Sequence, residues 1–94
     1  MTRQLRIPAR VAELVRGLHP EIKRKVRATL ARILEDPQAG KALKEALQSL
    51  RSLRIGRLRI VYRIGKGGVV EIIAVGPRHR IYEETLRLVR RDER

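Results

Sequence analysis

Cysteine is absent from the chain, and so are phenylalanine and tryptophan. Without thiols there is no disulfide to staple the fold and no thiolate to act as nucleophile or metal ligand, a composition that fits a cytoplasmic protein. Tyr62 and Tyr82 are the only aromatic residues, so a platform of stacked rings for single-stranded nucleic acid is excluded, and phosphate contacts must carry most of any affinity for such a ligand. No charged-then-apolar leader opens the sequence, and no apolar run nears the roughly 20 residues that a spanning helix needs. A soluble, unprocessed protein with no membrane partner is therefore expected.

Acidic residues are also scarce: 10 Asp+Glu face 23 Lys+Arg, for a formal net charge of +13. Such an excess opposes compaction and speeds association with polyanions, so it implies a nucleic acid or an acidic protein as partner. A thermophile-style charged surface would explain many charges, but not their imbalance. At 94 residues the chain has room for one domain with a modest core, taken as residues 1–94 throughout.

Several segments are legible in order. Residues 2–7 alternate as a short strand, with Leu5 and Ile7 on one side and Gln4 and Arg6 on the other. Pro8 suits the start of a helix, and Val11, Leu14, Val15 and Leu18 recur at helical spacing up to Gly17 and His19-Pro20. A second helix opens at Pro20-Glu21, carries an apolar stripe of Ile22, Val26, Leu30, Ile33 and Leu34, and ends at Asp36-Pro37. So short a link makes the two an antiparallel hairpin whose apolar face needs a sheet to cover it. Residues 38–49 fit either another helical turn or two or an irregular crossover, and Ala42, Leu43, Ala46 and Leu47 tilt the choice towards helix. The run Gly65-Lys66-Gly67-Gly68 reads as a hairpin turn, and Val69–Val75, apolar except for Glu71, reads as a central strand. Leu86 and Val89 place a terminal helix after about Tyr82.

Between these lies Leu50–Tyr62, LRSLRIGRLRIVY. Extended-chain alternation buries Leu53, Ile55, Leu58, Ile60 and Tyr62 and sends Ser52, Arg54, Arg57 and Arg59 elsewhere. Arginine keeps its proton and presents five donors in a rigid fork, so a sheet surface bearing several of them is suited to gripping phosphate. No other chemistry competes. His19 and His79 have no partner at ligand spacing, no hydroxyl has a His and Asp to activate it, and the GKGG glycines lack the Lys-Ser/Thr of a phosphate loop, so neither metal nor cofactor is expected. Arg54 and Arg59 lie on neighbouring strands, and Arg78, Arg80 and Tyr82 follow the strand beside them. RNA brings its own nucleophile, the 2′-hydroxyl, so a cleaving enzyme need only align it, take its proton, stabilise the phosphorane and help the leaving oxygen. A tyrosine among cations has its phenolate form favoured and can act as base. Tyr82 reads equally well as the first apolar anchor of the terminal helix.

The segment Asp36-Pro37-Gln38-Ala39-Gly40-Lys41-Ala42-Leu43-Lys44, the stretch SLRIGRLRIVY over Ser52–Tyr62 and VGPRHRIY over Val75–Tyr82 together resemble the RelE/ParE toxin superfamily, and the basic pair before the tyrosine resembles its RelE branch. The resemblance implies an α+β domain: an N-terminal strand, a two-helix hairpin packed on a mostly antiparallel sheet of about four strands, and a short C-terminal helix. It also implies a ribosome-dependent endoribonuclease that cuts mRNA in the A site and is held inactive in a hetero-oligomer with a RelB-like acidic antitoxin. By position, Arg59 matches the arginine that contacts the scissile phosphate and Arg78 the one that stabilises the transition state or protonates the leaving group. Tyr82 matches the base or stacking tyrosine, Arg54 a catalytic lysine and Arg80 a further basic position, while Ser52 stands where the family has another lysine; with Arg57, Ser52 and Arg80 complete the RNA-contacting set. The alternatives are a ParE-like toxin that binds gyrase without enzymatic action, and a plain basic RNA-binding module.

Overall fold

The structure is a computed structural model that describes residues 4–43, 50–77 and Arg87. Five strands make one sheet: β1 (Leu5–Arg6), β2 (Lys41–Ala42), β3 (Leu50–Ile55), β4 (Leu58–Ile64) and β5 (Val70–Pro77). Their spatial order is β1-β5-β4-β3-β2, with β1 parallel to β5 and every other neighbour antiparallel. The expected sheet of about four strands thus gains β2, whose two residues carry no periodicity that a sequence pattern can reveal. At the N-terminal edge Leu5 and Arg6 pair with Val70 and Glu71, the Gln4 carbonyl accepts from the Val70 amide at 2.8 Å, and Ile7 is exposed.

The helical hairpin forms where its punctuation falls. Helix α1 (Ala9–Arg16) starts on Pro8, whose carbonyl accepts from Val11 and Ala12, and α2 (Pro20–Glu35) starts on His19, whose Nδ1 accepts from the Glu21 amide at 3.2 Å. Val11, Val26 and Ile33 pack with Ile55, Ile60, Tyr62, Val70, Ile72 and Val75 to form the main core on one face of the sheet. A smaller cluster of Leu50, Val61, Ile73 and Ala74 occupies the other face. A bulge divides β5 between them: Val61 pairs with Ala74 and Tyr62 with Ile72, so Ile73 is left over and turns outward with Ala74. The Ile73 carbonyl accepts from the Arg10 guanidinium at 2.8 Å. The nearly unbroken apolar run of β5 is therefore covered on both faces, as expected of a central strand.

The helical preference given to residues 38–49 is overturned where the structure describes them. Pro37–Ala39 make a single 3-10 turn, and Lys41–Ala42 form β2 against Ser52 and Arg51. Hydrogen bonds from three side chains outweigh helix propensity here. The Asp36 carboxylate accepts from the Gln38 amide, Arg51 donates to the carbonyls of Gly40 and Gln38, and the buried Tyr62 hydroxyl accepts from Gly40 N (2.8 Å) and donates to the Pro37 carbonyl (2.6 Å). Ala46 and Leu47 lie outside the described residues, as does the expected terminal helix apart from Arg87, which is helical.

Gly40 sits so close to this phenol that a Cβ there would lie 2.3 Å from the Tyr62 oxygen. Tyr62→Phe leaves a buried amide and a buried carbonyl unpaired, and is expected to cost about 1–3 kcal/mol in denaturant melts. Gly40→Ala, at a backbone conformation any residue adopts, is expected to cost about as much by overpacking alone. An unchanged midpoint in both variants would remove this clasp from the account.

Candidate RNA-contacting face

Strand alternation sorts the hairpin β3–β4 into two chemistries. Leu53 and Ile55 on β3 and Ile60 and Tyr62 on β4 turn towards the helices, so Ser52, Arg54, Arg59 and Val61 turn the other way. The register sets Arg54 directly opposite Arg59 and Ser52 opposite Val61. The hairpin closes through a two-residue turn, Gly56-Arg57, in which Gly56 takes φ +56°, a conformation glycine adopts without strain.

Like charges directly opposite each other on one face are destabilising, and no described carboxylate pairs with either arginine. Arg54 is exposed and donates through Nε to the Gly56 carbonyl at 2.9 Å. Arg59 is half-buried, and its Nε is buried with no hydrogen-bond partner among the described residues. A buried donor left unpaired costs about 1–3 kcal/mol. On the other side of Arg59 its cross-strand neighbour is Gly76, where a Cβ would meet no described atom within 4 Å. The Arg59 guanidinium thus carries a donor without a partner among the described residues, the arrangement an anion would complete.

The other predicted site residues separate. Ser52 shares the arginine face but is only 3 % exposed, between Val61 and Lys41. Sequence alternation alone placed it on the open surface with the arginines; in the sheet it has strands on both sides. Arg57 lies in the turn and is exposed, apart from the Arg54–Arg59 rung. Arg78, Arg80 and Tyr82 fall outside the described residues. Pro77, the last residue of β5, pairs with Leu58 one rung beyond Arg59–Gly76, at the arginine end of the sheet.

Two contributors were not singled out from the sequence. Lys41 is exposed and pairs with Ser52, which brings its charge onto the same face; its only signal was its place in the Asp36–Lys44 motif. Gly76 was present only within the Val75–Tyr82 motif, and its place opposite Arg59 follows only from the β4–β5 register. Among the described residues no His, Asp and Glu group is placed to hold a metal ion.

A family model described as the ParE toxin of type II toxin–antitoxin systems matches residues 6–82. The chain belongs to the RelE/ParE superfamily of type II toxins. Solved structures share its fold. The toxin–antitoxin complex RelBE2 from Mycobacterium tuberculosis is 26% identical, with TM-score 0.71, over 83% of this chain and 100% of that one. A double arginine-to-alanine mutant of the Escherichia coli toxin RelE in its free state is 21% identical, with TM-score 0.75, over 93% and 97%. The archaeal RelE–RelB complex from Pyrococcus horikoshii is 22% identical, with TM-score 0.69, over 85% and 99%. No curated protein sequence matches the chain. The function this establishes is that of a toxin of a type II toxin–antitoxin system.

The charge pair makes a prediction about stability. Arg54→Gln removes the cross-strand repulsion, and is expected to leave stability unchanged or raise it by about 0.2–1 kcal/mol at low salt, with the gain fading as salt rises. Denaturant melts of the variant at two ionic strengths check this; a loss above about 1 kcal/mol would mean that Arg54 is held by contacts that stabilise the fold.

Proposed function

We propose that this toxin is a RelE-type endoribonuclease that enters the ribosomal A site and cuts the mRNA there, halting translation in the cytoplasm. The observation that carries the reading is the Arg54–Arg59 rung: two guanidiniums on one face with no described carboxylate paired to either, one of them holding a buried donor without a described partner. That arrangement is costly for a fold and useful for a phosphate.

The chemistry follows from the ligand. The 2′-hydroxyl loses its proton to a base and its oxygen attacks the adjacent phosphorus in line with the 5′ oxygen. The 5′ oxygen then leaves and takes a proton from solvent water, giving a 2′,3′-cyclic phosphate and a 5′-hydroxyl. Arg59 holds the scissile phosphate, and Arg54 takes the place of a family lysine beside it. Arg78 supports the charge of the phosphorane and of the departing oxygen; a guanidinium gives up its proton too reluctantly to serve as the acid itself. Tyr82, which follows Arg78 and Arg80 closely in sequence, takes the 2′ proton as phenolate, the form that nearby cations favour. Arg80 and Arg57 add to the attraction for the RNA strand. No step calls for a metal or a cofactor.

An acidic RelB-type antitoxin is the partner that holds the toxin inactive, forming a hetero-oligomer. A +13 chain attracts an acidic segment that orders as it docks. The RelBE2 and archaeal complexes support this reading. A second reading has its own observation: the matching family model carries the name ParE, the branch whose members poison gyrase rather than cut RNA.

Toxin added to a translating extract separates the two. Cuts in mRNA that require ribosomes and end in a cyclic phosphate are expected, with gyrase supercoiling intact; loss of supercoiling with undamaged RNA would overturn the proposal in favour of the gyrase reading. Arg59→Ala and Arg78→Ala are each expected to lower cutting by at least about 100-fold, the scale of one lost transition-state contact. Retained cutting in both would mean that the site lies elsewhere.

A further inference from the structure

Beyond the Arg54–Arg59 rung, the same sheet face carries a second cationic group at its other end. Arg63 on β4 pairs with Glu71 on β5, and Glu71 pairs in turn with Arg6 on β1, so three side chains from three adjacent strands meet on one rung. One carboxylate serves two guanidiniums: Arg63 hydrogen-bonds to Glu71 Oε1, and Arg6 approaches Glu71 Oε2 at 3.9 Å. Lys66 in the following turn adds a third cation and has no partner among the described residues. Arg6, Arg63, Gly65, Lys66, Val69 and Glu71 line an open cavity of about 250 Å³. Three positive charges against one negative leave this basin short of anions, and Glu71 already marks where an oxygen pair is held.

The distance to the first site is set by β4. Arg59 and Arg63 point the same way on one strand, about 13 Å apart at the usual rise per residue. Between them Val61, Leu50 and Ala74 are buried, so a ligand bound at both ends would pass over the covered centre of the face and touch it only at its rims. A phosphodiester backbone is suited to this, because it supplies anions at short regular intervals and a strand held at one phosphate carries others within reach.

We infer that Arg6, Arg63 and Lys66 form a second phosphate-binding subsite, which holds the RNA backbone a few nucleotides from the phosphate gripped by Arg59. The inference rests on the RNA reading above and extends it to the strand's path. Glu71 acts within it as a resident competitor: it keeps the two guanidiniums in place when RNA is absent and repels the phosphate that displaces it.

Variants of opposite sign test this. The probe is a labelled, 2′-O-methylated 12-nucleotide RNA, which cannot be cut, titrated with the full-length toxin over a series of salt concentrations. Neutralising one single-strand phosphate contact changes the slope of log K against log salt by about 0.7. Arg6→Gln and Lys66→Gln, both exposed positions, are expected to make the slope shallower by about that amount each, and Glu71→Gln to tighten binding several-fold at moderate salt. Wild-type slopes in Arg6→Gln and Lys66→Gln, or weaker binding in a folded Glu71→Gln, would overturn the subsite. Arg59→Gln is the internal reference: if it alone flattens the slope, the second subsite fails and the RNA reading stands, whereas a wild-type slope in Arg59→Gln removes the RNA reading itself. If Arg6→Gln and Lys66→Gln weaken polyglutamate binding and leave RNA binding untouched, the basin takes an acidic peptide and the inference is overturned.

Discussion

The register of the β3–β4 hairpin is the constraint on which the rest depends. Leu53, Ile55, Ile60 and Tyr62 must face the helices to complete the core, and because side chains alternate with a period of two, that requirement sends Arg54 and Arg59 together to the opposite face. A slip of one residue would bury guanidiniums under α2 and expose the apolar row. Each fully buried aliphatic side chain contributes about 1.5–3 kcal/mol, and several of them act in concert. The few tenths to 1 kcal/mol of repulsion between two facing arginines is small beside that. Hydrophobic burial thus holds in place a charge arrangement that would not form by itself.

Tyr62 extends the same constraint beyond the sheet. Its ring lies in the core while its hydroxyl grips the chain just after α2, with Arg51 holding the same loop from the neighbouring strand. The loop is thereby drawn into edge pairing, and Lys41 arrives on the arginine face instead of at the end of a lengthened helix. A core residue in this way decides where a surface charge stands. In a chain with net charge +13 and few acids, such placement matters more than the number of cations, since a diffuse excess attracts any polyanion while a focused one can grip a particular phosphate.

The face opposite the helices has an uneven distribution of partners. Glu71 neutralises part of one end, shared by Arg6 and Arg63, whereas no described carboxylate pairs with Arg54 or Arg59. The bulge at Ile73 sits between the two, and Arg10 reaches from α1 to satisfy the carbonyl that the bulge frees. Helix, sheet and charged face are therefore tied through backbone groups as well as through apolar packing.

Much was legible in the chain alone, because local physics decides it. Helix α2 follows from its apolar spacing and from the His19-Pro20 and Asp36-Pro37 boundaries; the strands β3 and β4 follow from alternation, β5 from its nearly unbroken apolar run, and the Gly65–Gly68 turn from residues that tolerate positive φ. The pairing of Arg54 with Arg59 was foreseeable once those strands flanked a two-residue turn. The fate of residues 38–43 was not, since it hangs on a phenol some 20 positions away, and neither was the burial of Ser52, which depends on an edge strand too short to show any period. Periodicity, capping and charge balance are written in near neighbours along the chain. Register at sheet edges, the extra residue at a bulge and the Arg59 donor without a described partner arise from contacts between segments distant in sequence, and only the tertiary structure decided them.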